Sequence, residues 1–91
     1  MAAVTVRIQG RVQGVGYRYW VARQAGLIGI DGWVRNRRDG SVEAVFSGTD
    51  NALKKMLGAC KKGPAMAQVT WVQETPYDDP VEAGFHTRET G

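Results

Sequence analysis

The chain is 91 residues long, which suits one domain over residues 1–91 and leaves too little material for two independent cores. It is 43% hydrophobic and 23% charged, with 12 Lys+Arg against 9 Asp+Glu for a net charge of +3, which excludes a disordered chain and mildly favours anionic ligands such as phosphate or nucleic acid. A single cysteine, Cys60, excludes an intrachain disulfide and a cysteine-based zinc site, and with no bilayer-length apolar run and no signal-peptide pattern at Met1-Ala2-Ala3-Val4, a soluble, cytoplasmic protein with no membrane partner is expected.

Val4, Val6 and Ile8 alternate with Thr5, Arg7 and Gln9, the period of two of a strand with one buried face, and predict a strand over 3–9. Gly10, Gly14 and Gly16 interrupt regular structure, after which Tyr17, Val21, Ala25 and Ile28 recur at helical spacing and predict a helix over 17–27. Residues 32–37 and 42–46 read as two strands joined at Asp39-Gly40, a strong hairpin signal, and should pair antiparallel. Leu53, Met56, Leu57 and Cys60 form the stripe of a second helix, capped by Thr49 or Asp50 and ending near Gly63-Pro64. Val69 and Trp71, with Ala67, alternate with polar neighbours as a fourth strand, and a short strand around 81–88 closes the series. The order is βαββαβ with room for one short extra strand. It predicts an α+β, ferredoxin-like sandwich: an antiparallel sheet with two helices on one face. That architecture hosts many activities, so function has to come from a site.

Between the first strand and the first helix lies Gly10-Arg11-Val12-Gln13-Gly14-Val15-Gly16-Tyr17-Arg18. Glycines let backbone N–H groups converge there, and the following helix adds the positive end of its dipole. The spacing is neither the dinucleotide fingerprint nor the Walker A pattern, because no Gly-Lys-Ser/Thr follows. On glycine content alone, a tight strand-to-helix connection explains the loop better than an anion cradle does. The loop closes on Arg18, whose forked donors match phosphate oxygens, although an arginine in a first helical turn is commonly just solvated. Asn36 shares its strand face with Val34, while Trp33, Arg35 and Arg37 take the other. An inward Asn36 serves equally as a turn cap before Arg37-Arg38-Asp39-Gly40 or as a group that orients a water.

The nine residues from Gly10 to Arg18 resemble the acylphosphatase signature. Gly32-Trp33-Val34-Arg35-Asn36 with Asp39-Gly40-Ser41-Val42-Glu43 resembles the second signature of that family, and Lys62-Gly63-Pro64 with Ala67 and Val69 is similar to its stretch after the second helix. The likeness spans nearly the whole chain and weakens after Pro76. Ile28-Gly29-Ile30 departs from the family's more usual Leu-Gly-Leu. The resemblance implies a monomeric, metal-free and cofactor-free hydrolase of carboxyl-phosphate bonds. It implies that backbone N–H groups of Gln13, Gly14, Val15, Gly16, Tyr17 and Arg18 bind the phosphoryl group, that the Arg18 side chain completes the cradle, and that Asn36 positions water. Inorganic phosphate or sulfate should occupy the same place. As the same signature occurs inside larger maturation proteins, a chain running from Met1 to residue 91 is expected to be the freestanding form.

The chemistry suits the sparse machinery. An acyl phosphate expels a carboxylate, already a good leaving group, so neither a general acid nor a metal is required. His86 is the only histidine, lies in the weakly matched terminal strand, and reads as structural. The strongest rival is an RNA-recognition module, given a pI near 9.4 and the group Trp33, Arg35, Arg37 and Arg38. Such modules stack bases on aromatics of strands one and three. Here strand one has none and Phe46, in phase with Val42 and Ala44, belongs to the core, so no nucleic-acid partner is expected.

Overall fold

In the computed structural model of the chain, which describes residues 2–91, strand β1 (Ala2–Arg11) buries Val6 and Ile8 beneath the helices. Helix α1 (Tyr17–Ile28), strands β2 (Asp31–Asn36) and β3 (Val42–Gly48), helix α2 (Asp50–Lys62), and strands β4 (Gln68–Pro76) and β5 (Phe85–Thr87) follow. The strands form one sheet in the order β4-β1-β3-β2-β5. The pairs β1–β3, β1–β4 and β2–β3 are antiparallel, which is the expected ferredoxin-like βαββαβ arrangement.

The expected purely antiparallel sheet needs one correction, because β5 joins β2 in parallel. Since β1 and β2 both oppose β3, they share a direction, and β4 runs against it. A chain that reverses after β4 and crosses to the free far edge must therefore run along β2. Its entry is fixed by Gly84, whose N–H donates to the Asp31 carboxylate at 2.9 Å and whose carbonyl accepts from the Gly32 N–H at 3.0 Å.

The helices cover the sheet with the stripes their sequences carry: Tyr17, Val21 and Ala25 on α1, and Leu53, Met56 and Cys60 on α2. They meet Val34, Val42, Ala44 and Phe46 in one buried cluster. The Tyr17 hydroxyl donates to the Cys60 carbonyl at 2.8 Å, so the polar tip of a buried ring is satisfied while it joins the two helices. Burial holds the Cys60 thiol up to about 12, which leaves it an inert core group. Of the two candidate caps, Thr49 takes the role, its side chain accepting from the Ala52 N–H at 3.1 Å. No helix among the described residues is long and apolar enough to cross a membrane.

A second difference lies on β4. The alternation of Val69 and Trp71 places them on one face, yet Val69 packs against the core, as does Val72, while Trp71 is 57% exposed. A bulge changes the phase: Gln9 pairs with Trp71 and Gly10 with Val69, leaving Thr70 as the extra residue. The bulge is also why β1 runs through Gly10 to Arg11 instead of stopping at the first glycine. Gly10 has φ +121°, and a Cβ there would land on the Gln68 carbonyl oxygen and 2.8 Å from the Thr70 nitrogen. Gly10→Ala is therefore expected to destabilise the fold by about 3 kcal/mol, since both backbone conformation and contact forbid the methyl. Urea unfolding measures this, and a loss below about 1 kcal/mol would show that the two strands separate easily here.

Candidate active site

After Arg11 the chain leaves the sheet, and Gly14 (φ 74°) and Gly16 (φ 76°) take left-handed conformations before α1 begins. Gly16 is the helix N-cap, and no acidic side chain lies in the first turn of α1. The positive end of the helix dipole is thus uncompensated. From Gln13 to Arg18 no backbone N–H donates to another described residue. A row of free donors ending at a helix N-terminus is an anion-binding arrangement.

Of the six residues the sequence assigns to phosphate binding, Gln13, Gly14, Gly16, Tyr17 and Arg18 line one cleft, and Asn36 lines it with them. Val15 is the exception: its side chain packs against the core, so only its main chain is available to an anion. The Arg18 guanidinium donates to the carbonyl of Arg88 at 3.4 Å, an exposed contact just beyond β5. Asn36, at the end of β2, turns inward with its neighbour Val34, and its side-chain Oδ1 is buried with no hydrogen-bond partner among the described residues. Its backbone carbonyl accepts from the Gly91 N–H at 3.0 Å.

The Gln13 side chain has a role that sequence reasoning missed, having treated the residue only as a main-chain donor. Its Nε2 donates to the carbonyls of Arg37 at 2.7 Å and Ser41 at 2.8 Å. That amide fastens the glycine loop to the hairpin that carries Asn36, fixing the two halves of the cleft against each other. The hairpin is itself tight, because the Asp39 carboxylate accepts from the Ser41 hydroxyl at 2.6 Å and from its N–H at 2.9 Å. Those two bonds, the hydroxyl's first, hold the Asp39 carboxyl below its ordinary range. A half-buried, carbonyl-facing amide has no signature in a lone sequence. Tyr19 was also missed: it follows Arg18, is 75% exposed and lines the cleft, and only its place next to Arg18 hinted at this.

Among the described residues no group of three His, Cys, Asp or Glu side chains is placed to hold a metal. His86 is exposed, its Nε2 3.1 Å from the Ala83 carbonyl. On the opposite face of the sheet Glu43 gathers Arg35 at 2.9 Å, Arg37 at 3.3 Å and Arg7 at 3.8 Å. The guanidinium carbons of Arg35 and Arg88 lie 5.2 and 4.7 Å from the centre of the Trp33 ring.

The acylphosphatase family model matches residues 4–87. An acylphosphatase of Acidiphilium cryptum is 45% identical over 91 residues, covering 100% of both chains. One of Nitrobacter winogradskyi is 54% identical over 71 residues, which are 78% of this chain and 72% of that one. Among solved structures, the acylphosphatase from Bacillus subtilis superposes with a TM-score of 0.91 at 36% identity, covering 97% of this chain and 99% of its own. A match over nearly the whole length, carried by relatives of this similarity, establishes that the chain belongs to the acylphosphatase family.

Proposed function

We propose that the cleft holds the phosphoryl group of an acyl phosphate on the free N–H groups of residues 13–18 and on the Arg18 guanidinium, while Asn36 positions the attacking water. The chain is a hydrolase acting on acyl phosphates, and this assignment gives each part of that reaction a residue. The observation that carries it is the buried, unpartnered Oδ1 of Asn36 at the edge of a cleft lined with free donors. An orphaned buried acceptor is unfavourable by about 1–3 kcal/mol, so it is retained where a ligand completes it. A water donating one hydrogen to Oδ1 is held with a lone pair free.

The water oxygen forms a bond to phosphorus as the bond to the acyl oxygen breaks, and the carboxylate leaves with its electron pair. Asn36 cannot take a proton at neutral pH, so the proton passes to a phosphoryl oxygen of the substrate. Arg18 and the loop amides stabilise the charge spread over the equatorial oxygens, which makes catalysis a matter of position and electrostatics. On this reading the protein acts as a monomer, with one domain over residues 1–91. A single buried thiol fits a reducing cytoplasm. Inorganic phosphate and sulfate would compete for the same amides.

Purified protein should release phosphate from acetyl phosphate, and failure to do so would overturn the assignment. The reading needs no metal, because the leaving carboxylate requires no Lewis acid and Arg18 supplies the positive charge. Turnover is accordingly expected to change by less than about 20% after EDTA treatment and gel filtration, whereas the loss of a catalytic metal removes several kcal/mol of stabilisation. Phosphate release before and after treatment decides it. Nucleic acid has no place in this reading: Arg35 and Arg37 are paired with Glu43, and two guanidinium groups already lie over Trp33.

A further inference from the structure

Resting on the role proposed for Asn36, we infer that Glu43 is a positioning residue for the reaction: from the opposite face of the sheet, its carboxylate fixes the strand end that aims Asn36 at the water. Asn36 closes β2, and beyond it the chain turns into the hairpin. Its neighbours Arg35 and Arg37 alternate to the other face. Both guanidinium groups reach the same oxygen, Glu43 Oε1, at 2.9 and 3.3 Å. Glu43 stands directly across from Arg35 on β3, and its second oxygen faces Arg7 of β1 at 3.8 Å. One carboxylate thereby joins three strands and clasps the residue on either side of Asn36.

The Glu43 side chain is 19% exposed, so it balances the three guanidinium groups largely out of water. Arg7 has a second acidic partner in Asp39 at 3.5 Å, whereas Arg35 and Arg37 have Glu43 alone among the described residues. Removing that negative charge leaves two cations on the flanks of Asn36 facing each other, and like charges repel. The pairing of Asn36 with Val42 is the last of the β2–β3 register, so relief comes from a shift of this strand end. On the cleft face the Gln13 amide holds the Arg37 carbonyl at 2.7 Å. The segment around Asn36 is thus gripped from both sides of the sheet. Partly exposed ion pairs contribute little to folding. A group that works by orientation, in contrast, loses about a hundredfold in rate when displaced by about 1 Å. Glu43 therefore matters to turnover more than to stability.

The experiment measures acetyl phosphate hydrolysis by Glu43→Gln, Asn36→Ala and the double variant against the wild type. Glutamine keeps the shape of the side chain and removes the charge. Glu43→Gln is expected to lower kcat by about tenfold while KM changes less than about twofold, because the 13–18 loop and Arg18 are untouched. In the Asn36→Ala background the same substitution should change kcat less than about twofold, as no side chain remains to be aimed. A merely structural role gives a different pattern, since loss of folded enzyme scales kcat in both backgrounds alike. Glu43→Gln within about twofold of the wild type, an equal fall in both backgrounds, or a fall carried by KM would each overturn the role of Glu43 and leave that of Asn36 standing. Wild-type turnover in Asn36→Ala alone would overturn the role of Asn36 and this inference with it.

Discussion

Arg18→Gln is expected to lower kcat/KM for acetyl phosphate by about a thousandfold, and Arg18→Lys by about a hundredfold. The side chain lines the cleft together with the glycine loop, and it is the one cation among the lining residues. Removing a preorganised donor from a transferring phosphoryl group removes about 3–4 kcal/mol of transition-state stabilisation. Lysine retains the charge but offers a point in place of a planar fork, so it cannot span two oxygens. The two variants therefore separate charge from geometry: equal losses would mean that only the fork matters, and the graded loss that both contribute. Stability is a useful control, because Arg18 makes its one side-chain hydrogen bond at 3.4 Å, to the exposed Arg88 carbonyl. Such a contact is worth at most about 1 kcal/mol, so urea midpoints should barely move while activity falls. Phosphate release by Arg18→Gln within tenfold of the wild type would remove Arg18 from the chemistry.

What the sequence disclosed and what it hid follow from the range of the interactions. Val4, Val6 and Ile8, the α1 stripe and the α2 stripe report burial through local periodicity, and each lies on the expected face. Asp39-Gly40 gives the β2–β3 hairpin, because a tight turn is encoded in adjacent residues. The exceptions are non-local. Trp71 points outward because Gly10, sixty residues away, lets the Gln68 carbonyl approach and forces a bulge; alternation within β4 has no knowledge of its partner. The parallel pairing of β5 depends on which sheet edge is left free once the other strands are placed.

The site divides in the same way. Gly14, Gly16 and Arg18 are neighbours in sequence, so their convergence was legible as one motif. That they share a cleft with Asn36 was carried by the family resemblance, since spacing alone left Asn36 balanced between turn cap and water site. In the structure the hairpin turn is capped by Asp39, which leaves the Asn36 side chain free of that duty. The Gln13 clamp, spanning 24 and 28 residues, was invisible for the reason that the Trp71 bulge was.

Asn36 gives the last expectation, and it tests function and stability in opposite directions. Asn36→Ala and Asn36→Leu should each lower kcat for acetyl phosphate by about a hundredfold or more, with KM changing less than about threefold, because the residue orients the water and leaves the phosphoryl cradle intact. Both variants also delete a buried oxygen that has no hydrogen-bond partner among the described residues. Leucine keeps the branched outline and the number of side-chain heavy atoms and carries no polar atom, so Asn36→Leu is expected to be more stable than the wild type by about 1 kcal/mol. Most substitutions at the end of a central strand do the reverse. A gain in stability with a loss of turnover would mean that the acceptor is kept against the interest of the fold, for a water that binds only to react. Measured together, urea unfolding and phosphate release distinguish this from a structural role, in which both quantities would fall. If Asn36→Leu turned over acetyl phosphate as fast as the wild type, the water would have to be held by other groups, and the free amides of residues 13–18 would be left to orient it alone.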